Sequence, residues 1–203
     1  MGHGSDEAGL MAFKAKISGN SGMLSSWNKS TSYCSWEGIT CGKRHWWRVV
    51  ALELSSQGLT GTISPAVANK LSGEIPDTIG NCRVLEILLM DDNSFQGDIP
   101  ATLKNMAGLA LLNLTNNKLN GSIPGNLGSL TDKQELYLSH NNLSGLIPEL
   151  LGNSASLLRL YLSFNNLQGD VPEAGVFRNL TGLSIVGNNA LCGGIPQLHL
   201  PRC

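Results

Sequence analysis

Six copies of one short motif, each 24 residues after the last, constrain this chain more than any other feature. They are Gly73-Glu-Ile-Pro76, Gly97-Asp-Ile-Pro100, Gly121-Ser-Ile-Pro124, Gly145-Leu-Ile-Pro148, Gly169-Asp-Val-Pro172 and Gly193-Gly-Ile-Pro196. Four residues before each glycine stands an asparagine: Asn69, Asn93, Asn117, Asn141, Asn165 or Asn189. Ahead of most of these the spacing L-x-x-L-x-L-x-x-N recurs, as Leu85/Leu88/Met90, Leu109/Leu112/Leu114, Lys133/Leu136/Leu138 and Leu157/Leu160/Leu162. A period of this length means a stack of similar coils, none of which can bury its leucines alone. The short L-x-L segment predicts a strand, the asparagine a turn whose amide satisfies buried backbone groups, and Gly-x-Ile-Pro a second bend. A further apolar column, Ile79, Leu103, Leu127 and Leu151, predicts the far side of the stack.

Composition agrees with a solenoid. The 203 residues include 33 Leu, 24 Gly and 19 Asn, with 41% hydrophobic but only 5% aromatic content, which suits many thin layers rather than one aromatic-filled globule. Charged residues make up 14% and the net charge is −1, so the basic surface that nucleic acid requires is absent and no nucleic-acid partner is expected. No apolar run is long enough to span a bilayer, and Met1-Gly-His-Gly-Ser-Asp-Glu7 lacks the apolar stretch of a secretory signal; either a signal has been removed or the chain never had one.

The 24-residue repeat with L-x-G-x-I-P resembles the plant extracellular subclass of leucine-rich repeats. Residues 6–65, through Asp6-Glu-Ala-Gly-Leu-Met-Ala-Phe, Leu24-Ser-Ser-Trp-Asn28 and Cys34-Ser-Trp-Glu-Gly-Ile-Thr-Cys41, resemble the N-terminal cap of plant leucine-rich repeat receptor-like kinases. Residues 186–203 resemble the C-terminal cap of the subfamily that includes the rice bacterial-blight resistance receptor. The resemblance implies an α/β solenoid with short parallel strands on the concave face, turns and 3-10 segments on the convex side, and a helical N-terminal cap. It divides the chain into a cap (1–48), repeats (49–189) and a second cap (190–203). It also implies the plant cell surface or apoplast, a peptide or protein ligand, and possible pairing with a co-receptor kinase ectodomain.

Of the five cysteines, Cys34 and Cys41 lie in the first cap and Cys192 and Cys203 in the last, and these four read as two disulfides that help coils with one unpartnered face. Zinc is the competing reading, which C-x6-C and C-x10-C spacings and the wide separation of the pairs disfavour. Cys82 reads as a small buried hydrophobe. Sequons at Asn28, Asn113, Asn142 and Asn179 fit passage through a secretory pathway; a short polar sequence also makes sequons by accident, and Asn113, within the strand between Leu112 and Leu114, is the one least expected to be used, because its glycan would stand on the concave face.

No nucleophile elbow, metalloprotease helix, phosphate loop or dinucleotide fingerprint occurs, so no enzyme activity, catalytic residue, cofactor or metal is expected. His3, His45, His140 and His199 have no nucleophile partner at motif spacing, and Lys43-Arg44-His45-Trp46-Trp47-Arg48 reads as a cap loop. The outward strand positions carry the variation. Their middle column is Glu53, Leu89, Asn113, Tyr137, Tyr161 and Ile185, flanked by Asp91 and by Leu183 in adjoining columns, with Asn188 in the column before the asparagines. Glu135, Tyr137, His140, Arg159, Tyr161 and Phe164 fall on two adjacent coils and form the expected docking patch, with Arg159 available to a ligand carboxylate and Leu89 and Asp91 alongside.

Two departures stand out. Gly61-Thr-Ile-Ser64 and Gly73-Glu-Ile-Pro76 are only 12 residues apart, so half a repeat is missing at about 61–75, and the cap is expected to dock out of phase and to exchange hydrogens faster there than residues 109–165. Lys133 occupies a leucine position and must snorkel outward. The function expected is ligand recognition on the concave face in defence or developmental signalling. The alternative is a secreted inhibitor of a cell-wall-degrading enzyme of the polygalacturonase-inhibitor type; an ice-binding role is disfavoured by the lack of a threonine ladder.

Overall fold

A computed structural model of the chain describes residues 3–17, 24–43, 47–55, 71–130, 132 and 134–203. Asn69, Lys133, His45 and most of the expected half-repeat lie outside them. In chain order the elements are α1 (His3–Lys16), β1 (Ile39–Cys41), β2 (Val49–Glu53), β3 (Ser72–Glu74), β4 (Ile87–Leu89), β5 (Ser94–Asp98), β6 (Leu111–Asn113), β7 (Lys118–Asn120), β8 (Glu135–Tyr137), β9 (Ser144–Gly145), β10 (Arg159–Tyr161), β11 (Asn166–Val171), β12 (Leu183–Ser184) and β13 (Ala190–Gly193).

The L-x-L segments form the concave face, a 7-stranded sheet in the order β1-β2-β4-β6-β8-β10-β12. All its pairs are parallel except β1 with β2. The segments after each asparagine build two 3-stranded sheets on one flank, β3-β5-β7 and β9-β11-β13, linked by a bridge from Ser122 to Ser144. Past each Gly-x-Ile-Pro the convex side is a 3-10 turn, at Asp77–Asn81, Ala101–Asn105 and Gly125–Ser129, or the short helix Leu150–Asn153. Proline starts these turns because Pro76, Pro100 and Pro124 are held extended, with no N–H to leave unpaired.

Inward columns run the length of the stack. Leu52, Leu88, Leu112, Leu136 and Leu160 are fully buried, as are Ile79, Leu103, Leu127 and Leu151. Each such side chain contributes about 1.5–3 kcal/mol, realised only when the next coil covers it. At Gly121, φ is 68° and a Cβ would lie 2.1 Å from Asp98 Oδ1, so that bend admits no side chain.

The asparagines turn the coils by one repeated pattern. Asn117 Nδ2 donates to Met90 O in the preceding coil at 3.0 Å and to Leu114 O in its own at 3.1 Å, while its Oδ1 accepts from Phe95 N at 3.0 Å. Asn93, Asn141 and Asn165 repeat this. In the last coil the residue that does so is Asn188, which bonds Leu162 O, Ile185 O and Leu167 N; Asn189 is exposed and is not part of the ladder. The cause is a coil one residue short: Leu160 pairs with Leu183 and Tyr161 with Ser184, and Gly187 occupies the turn. Ile185 is therefore buried rather than on the concave face, Ser184 takes the place beside Tyr161, and Gly187 rather than Asn188 precedes the ladder asparagine.

The N-terminal cap holds most of the molecule's large aromatics. Phe13 packs against Trp27 (6.2 Å between centroids) and Phe95 (6.3 Å), and Trp27 stacks on Trp36 at 5.4 Å. Asp6, fully buried in α1, accepts from Arg48 Nε and from Val49 N, both at 3.1 Å, and so fastens the helix to β2. Disulfides join Cys34 to Cys41 and Cys192 to Cys203, and Cys82 is free and buried. The strand β2 is not displaced by half a turn: Leu52 pairs with Leu88 in the register of the other coils, although one and a half repeats separate them.

Candidate functional site

The concave sheet raises side chains in columns because alternate residues of a strand share a face. On β8 and β10 it brings together four residues of the expected patch, Glu135, Tyr137, Arg159 and Tyr161, while His140 and Phe164 follow these strands and pair with each other at the rim. Tyr137 and Tyr161 are cross-strand partners and meet edge to face with centroids 5.0 Å apart. Glu135 lies beside Arg159 and binds its guanidinium, and Tyr137 donates its hydroxyl to Glu135 Oε2 at 2.5 Å. Arg159 therefore has a carboxylate partner within the chain. Burial pushes the Tyr137 phenol pKa up, and the bond to Glu135 adds to it; Arg159 is held protonated first by its bond to Tyr137 and then by the charge of Glu135.

Leu89 and Asp91 belong to the same face but not to the cluster. Strand β6 separates them from it, with Asn113 between Leu89 and Tyr137, and Asp91 accepts from Ser55 Oγ at 2.6 Å. Ser139 and Ser163 form a buried floor, and Ser163 shares a 2.6 Å hydrogen bond with Ser184.

At the rim, just before each ladder asparagine, the backbone is left-handed. The φ values are 58° at Asp92, 56° at Asn116, 57° at His140, 54° at Phe164 and 79° at Gly187. Asp, Asn and Gly tolerate this region, and Asn116 Nδ2 also donates to Asp92 Oδ1 at 2.5 Å. A phenylalanine there is a strained choice. Phe164 is half exposed, stacks on His140 with centroids 4.5 Å apart, and leans over Gly187, whose missing Cβ leaves it room. Beyond it Val186 is 67% exposed. The backbone strain and Val186 were not anticipated from sequence; the signal that could have found them is the series Asp92-Asn93, Asn116-Asn117 and Gly187-Asn188, which marks one conformation and the true phase of the last coil.

The arrangement is a surface with aromatic, charged and hydroxyl groups, and among the described residues no cluster of His, Cys, Asp or Glu could hold a metal ion. No helix of the described residues is long and apolar enough to cross a membrane.

The leucine rich repeat N-terminal domain family matches residues 3–42, and leucine rich repeat families match residues 83–143 and 134–154. Among curated relatives, the receptor-like serine/threonine-protein kinase EFR of Arabidopsis thaliana is 40% identical over 92 residues, covering 44% of this chain and 8% of that protein. The chain thus spans under a tenth of the curated relative's length and does not include its catalytic part. A chain in the crystal structure of the BIR3–SERK2 complex from Arabidopsis thaliana is 34% identical with a TM-score of 0.79, covering 96% of this chain and 97% of that one. The Arabidopsis receptor kinase HAESA, solved with the peptide hormone IDA and the co-receptor SERK1, is 28% identical with a TM-score of 0.65, covering 96% of this chain and 35% of that one.

Proposed function

Since the chain belongs to the leucine-rich repeat ectodomain family of plant receptor kinases, we propose that it is an extracellular recognition module that binds a peptide or protein on its concave face through β8 and β10. The observation that carries this reading is the exposed, strained stack of Phe164 on His140 beside the Tyr137–Tyr161 pair. Aromatic side chains dominate interface energies, and backbone strain persists where function requires a side chain that stability alone would not choose. The match over 97% of a chain from the BIR3–SERK2 complex supports a second protein of similar kind as a partner, and HAESA, solved with a peptide hormone and a co-receptor, supports a peptide held together with a co-receptor. The place of action is the apoplast or the outer face of the plasma membrane, in defence or developmental signalling.

The test is titration of the folded, secreted chain against soluble plant receptor ectodomains and synthetic signalling peptides, repeated with Tyr161→Ala and Phe164→Ala. A tenfold or greater weakening by each, about 1.4 kcal/mol or more, is expected. Losses under about threefold with an established ligand would remove β8 and β10 from the binding surface.

A further inference from the structure

The two rims of the concave sheet change in chemistry along the stack. On the rim just before each strand, backbone bonds join Glu86, Ala110, Gln134 and Leu158 into one column: Ala110 N donates to Glu86 O at 2.8 Å, Gln134 N to Ala110 O at 2.9 Å and Leu158 N to Gln134 O at 2.8 Å. On the opposite rim the order is Asp92, Asn116, His140, Phe164 and then Val186, whose carbonyl accepts from Phe164 N at 2.7 Å. Both columns therefore run from an acid beside β4 to an apolar side chain beside β10.

Each end of this gradient is a zone rather than a single residue. Around β2 and β4 stand Glu53, Glu86, Asp91 and Asp92, of which Glu53, Glu86 and Asp92 are exposed. The ion pairs among the described residues are Asp6 with Arg48 and Glu135 with Arg159, so none of these four carboxylates has a described cation beside it. At the other end, six of the seven exposed large hydrophobics among the described residues fall between Leu146 and Val186. Four of them border the sheet: Leu158 and Leu180 on one rim, where Asn179 Nδ2 donates to Leu158 O at 3.3 Å, and Phe164 and Val186 on the other. Arg159, the only lysine or arginine on the seven strands, is already held by Glu135.

We infer that the concave face takes an extended peptide laid across its strands in one direction, with Lys or Arg over Glu53, Glu86, Asp91 and Asp92 and an aromatic or aliphatic anchor between Leu158 and Leu180 on one side and Phe164 and Val186 on the other. Grouped exposed apolar side chains mark a contact site, and carboxylates without cations speed the approach of a basic partner and repel an acidic one. A reversed peptide sets its cation among apolar groups and its anchor among carboxylates, so the gradient selects direction as well as composition. From β4 to β10 is three strand steps, about 14 Å, which an extended chain covers in four or five residues. That is the separation of cation and anchor the face reads.

This inference rests on the concave face being the binding surface, and the test separates the two. Displayed random peptides about twelve residues long, enough to cross the sheet, are selected on the folded chain, and the selected sequences are synthesised. Those whose affinity falls about tenfold or more with Phe164→Ala are expected to carry Lys or Arg four or five positions from an aromatic or aliphatic residue. A triple variant, Glu53→Gln with Glu86→Gln and Asp92→Asn, removes three exposed charges, and asparagine suits the left-handed backbone at 92. It is expected to melt within about 3 °C of the parent and to bind these peptides about tenfold more weakly at about 0.05 M salt, with the difference gone at about 0.5 M. Peptides that need Phe164 but lack the basic residue, or that bind the triple variant equally at low salt, overturn the inference and leave the binding face standing. A selection in which no peptide depends on Phe164 or Tyr161 overturns both.

Discussion

Asn188 and Asn189 differ by one position in the chain and by three hydrogen bonds in the fold. Asn188 is buried and joins two coils, so Asn188→Ala leaves the Ile185 carbonyl and the Leu167 N–H without the partner it gave them, while Leu162 O keeps its bond from Asn165 Nδ2, and is expected to cost about 2–4 kcal/mol. Asn189 is exposed, and Asn189→Ala is expected to stay within about 0.5 kcal/mol. Denaturant titration of the two variants checks the contrast, and equal effects would mean that the last coil has the phase of the others. Phe164 invites the opposite experiment. Asn suits φ of 54°, so Phe164→Asn is expected to hold or raise stability, by up to about 1 kcal/mol, while weakening partner binding at least tenfold. A variant that loses stability and keeps binding would place the aromatic stack among the structural residues. The asparagine columns were legible in the sequence because their period is strict. The phase of the last coil was not, because Asn188 and Asn189 are identical in type and only the backbone at Gly187 tells them apart.

At the scale of elements, α1 is fastened to the stack by Leu10, Phe13 and Asp6, all fully buried. Arg48→Ala would leave the Asp6 carboxylate buried without its cation and is expected to cost about 3 kcal/mol, read as a lower melting temperature. Cys82 lies beneath the same helix, near Gly9. Burial, then the nearby charge of Asp6, pushes its thiol up to about 12. The native protein at pH 8 is therefore expected to resist iodoacetamide, and to react fully once unfolded. Because the folded thiol is the weaker acid, its contribution to stability is present below pH 9, the unfolded value, and is lost as pH rises through about 12. Alkylation of the native protein at the rate of a free thiol would contradict the burial. Strand positions and inward columns were readable from leucine spacing. The pairing of Arg159 with Glu135 was not, since which exposed charges meet depends on side-chain directions across coils rather than on period.

For the whole molecule, the caps bound the cooperative unit. Cys192–Cys203 closes a loop of about a dozen residues over the last coil, and Cys203→Ser is expected to cost about 2–3 kcal/mol, with residues 183–193 losing hydrogen-exchange protection before residues 111–162. Simultaneous loss across the array would instead show that the C-terminal cap carries no local stability of its own. The short spacing after Gly61 pointed to an out-of-phase cap, yet β2 meets β4 in register, Leu52 opposite Leu88, because a parallel strand pair is matched by backbone geometry rather than by the length of chain between the strands.

That register makes the concave sheet a ruler. Its seven strands span roughly 29 Å at about 4.8 Å per step. An extended peptide laid across every strand would need about nine residues, and one resting on β8 and β10 alone only two or three. Coil number thus sets the longest message this surface can read, and adding or removing coils would change that length without redesigning either end.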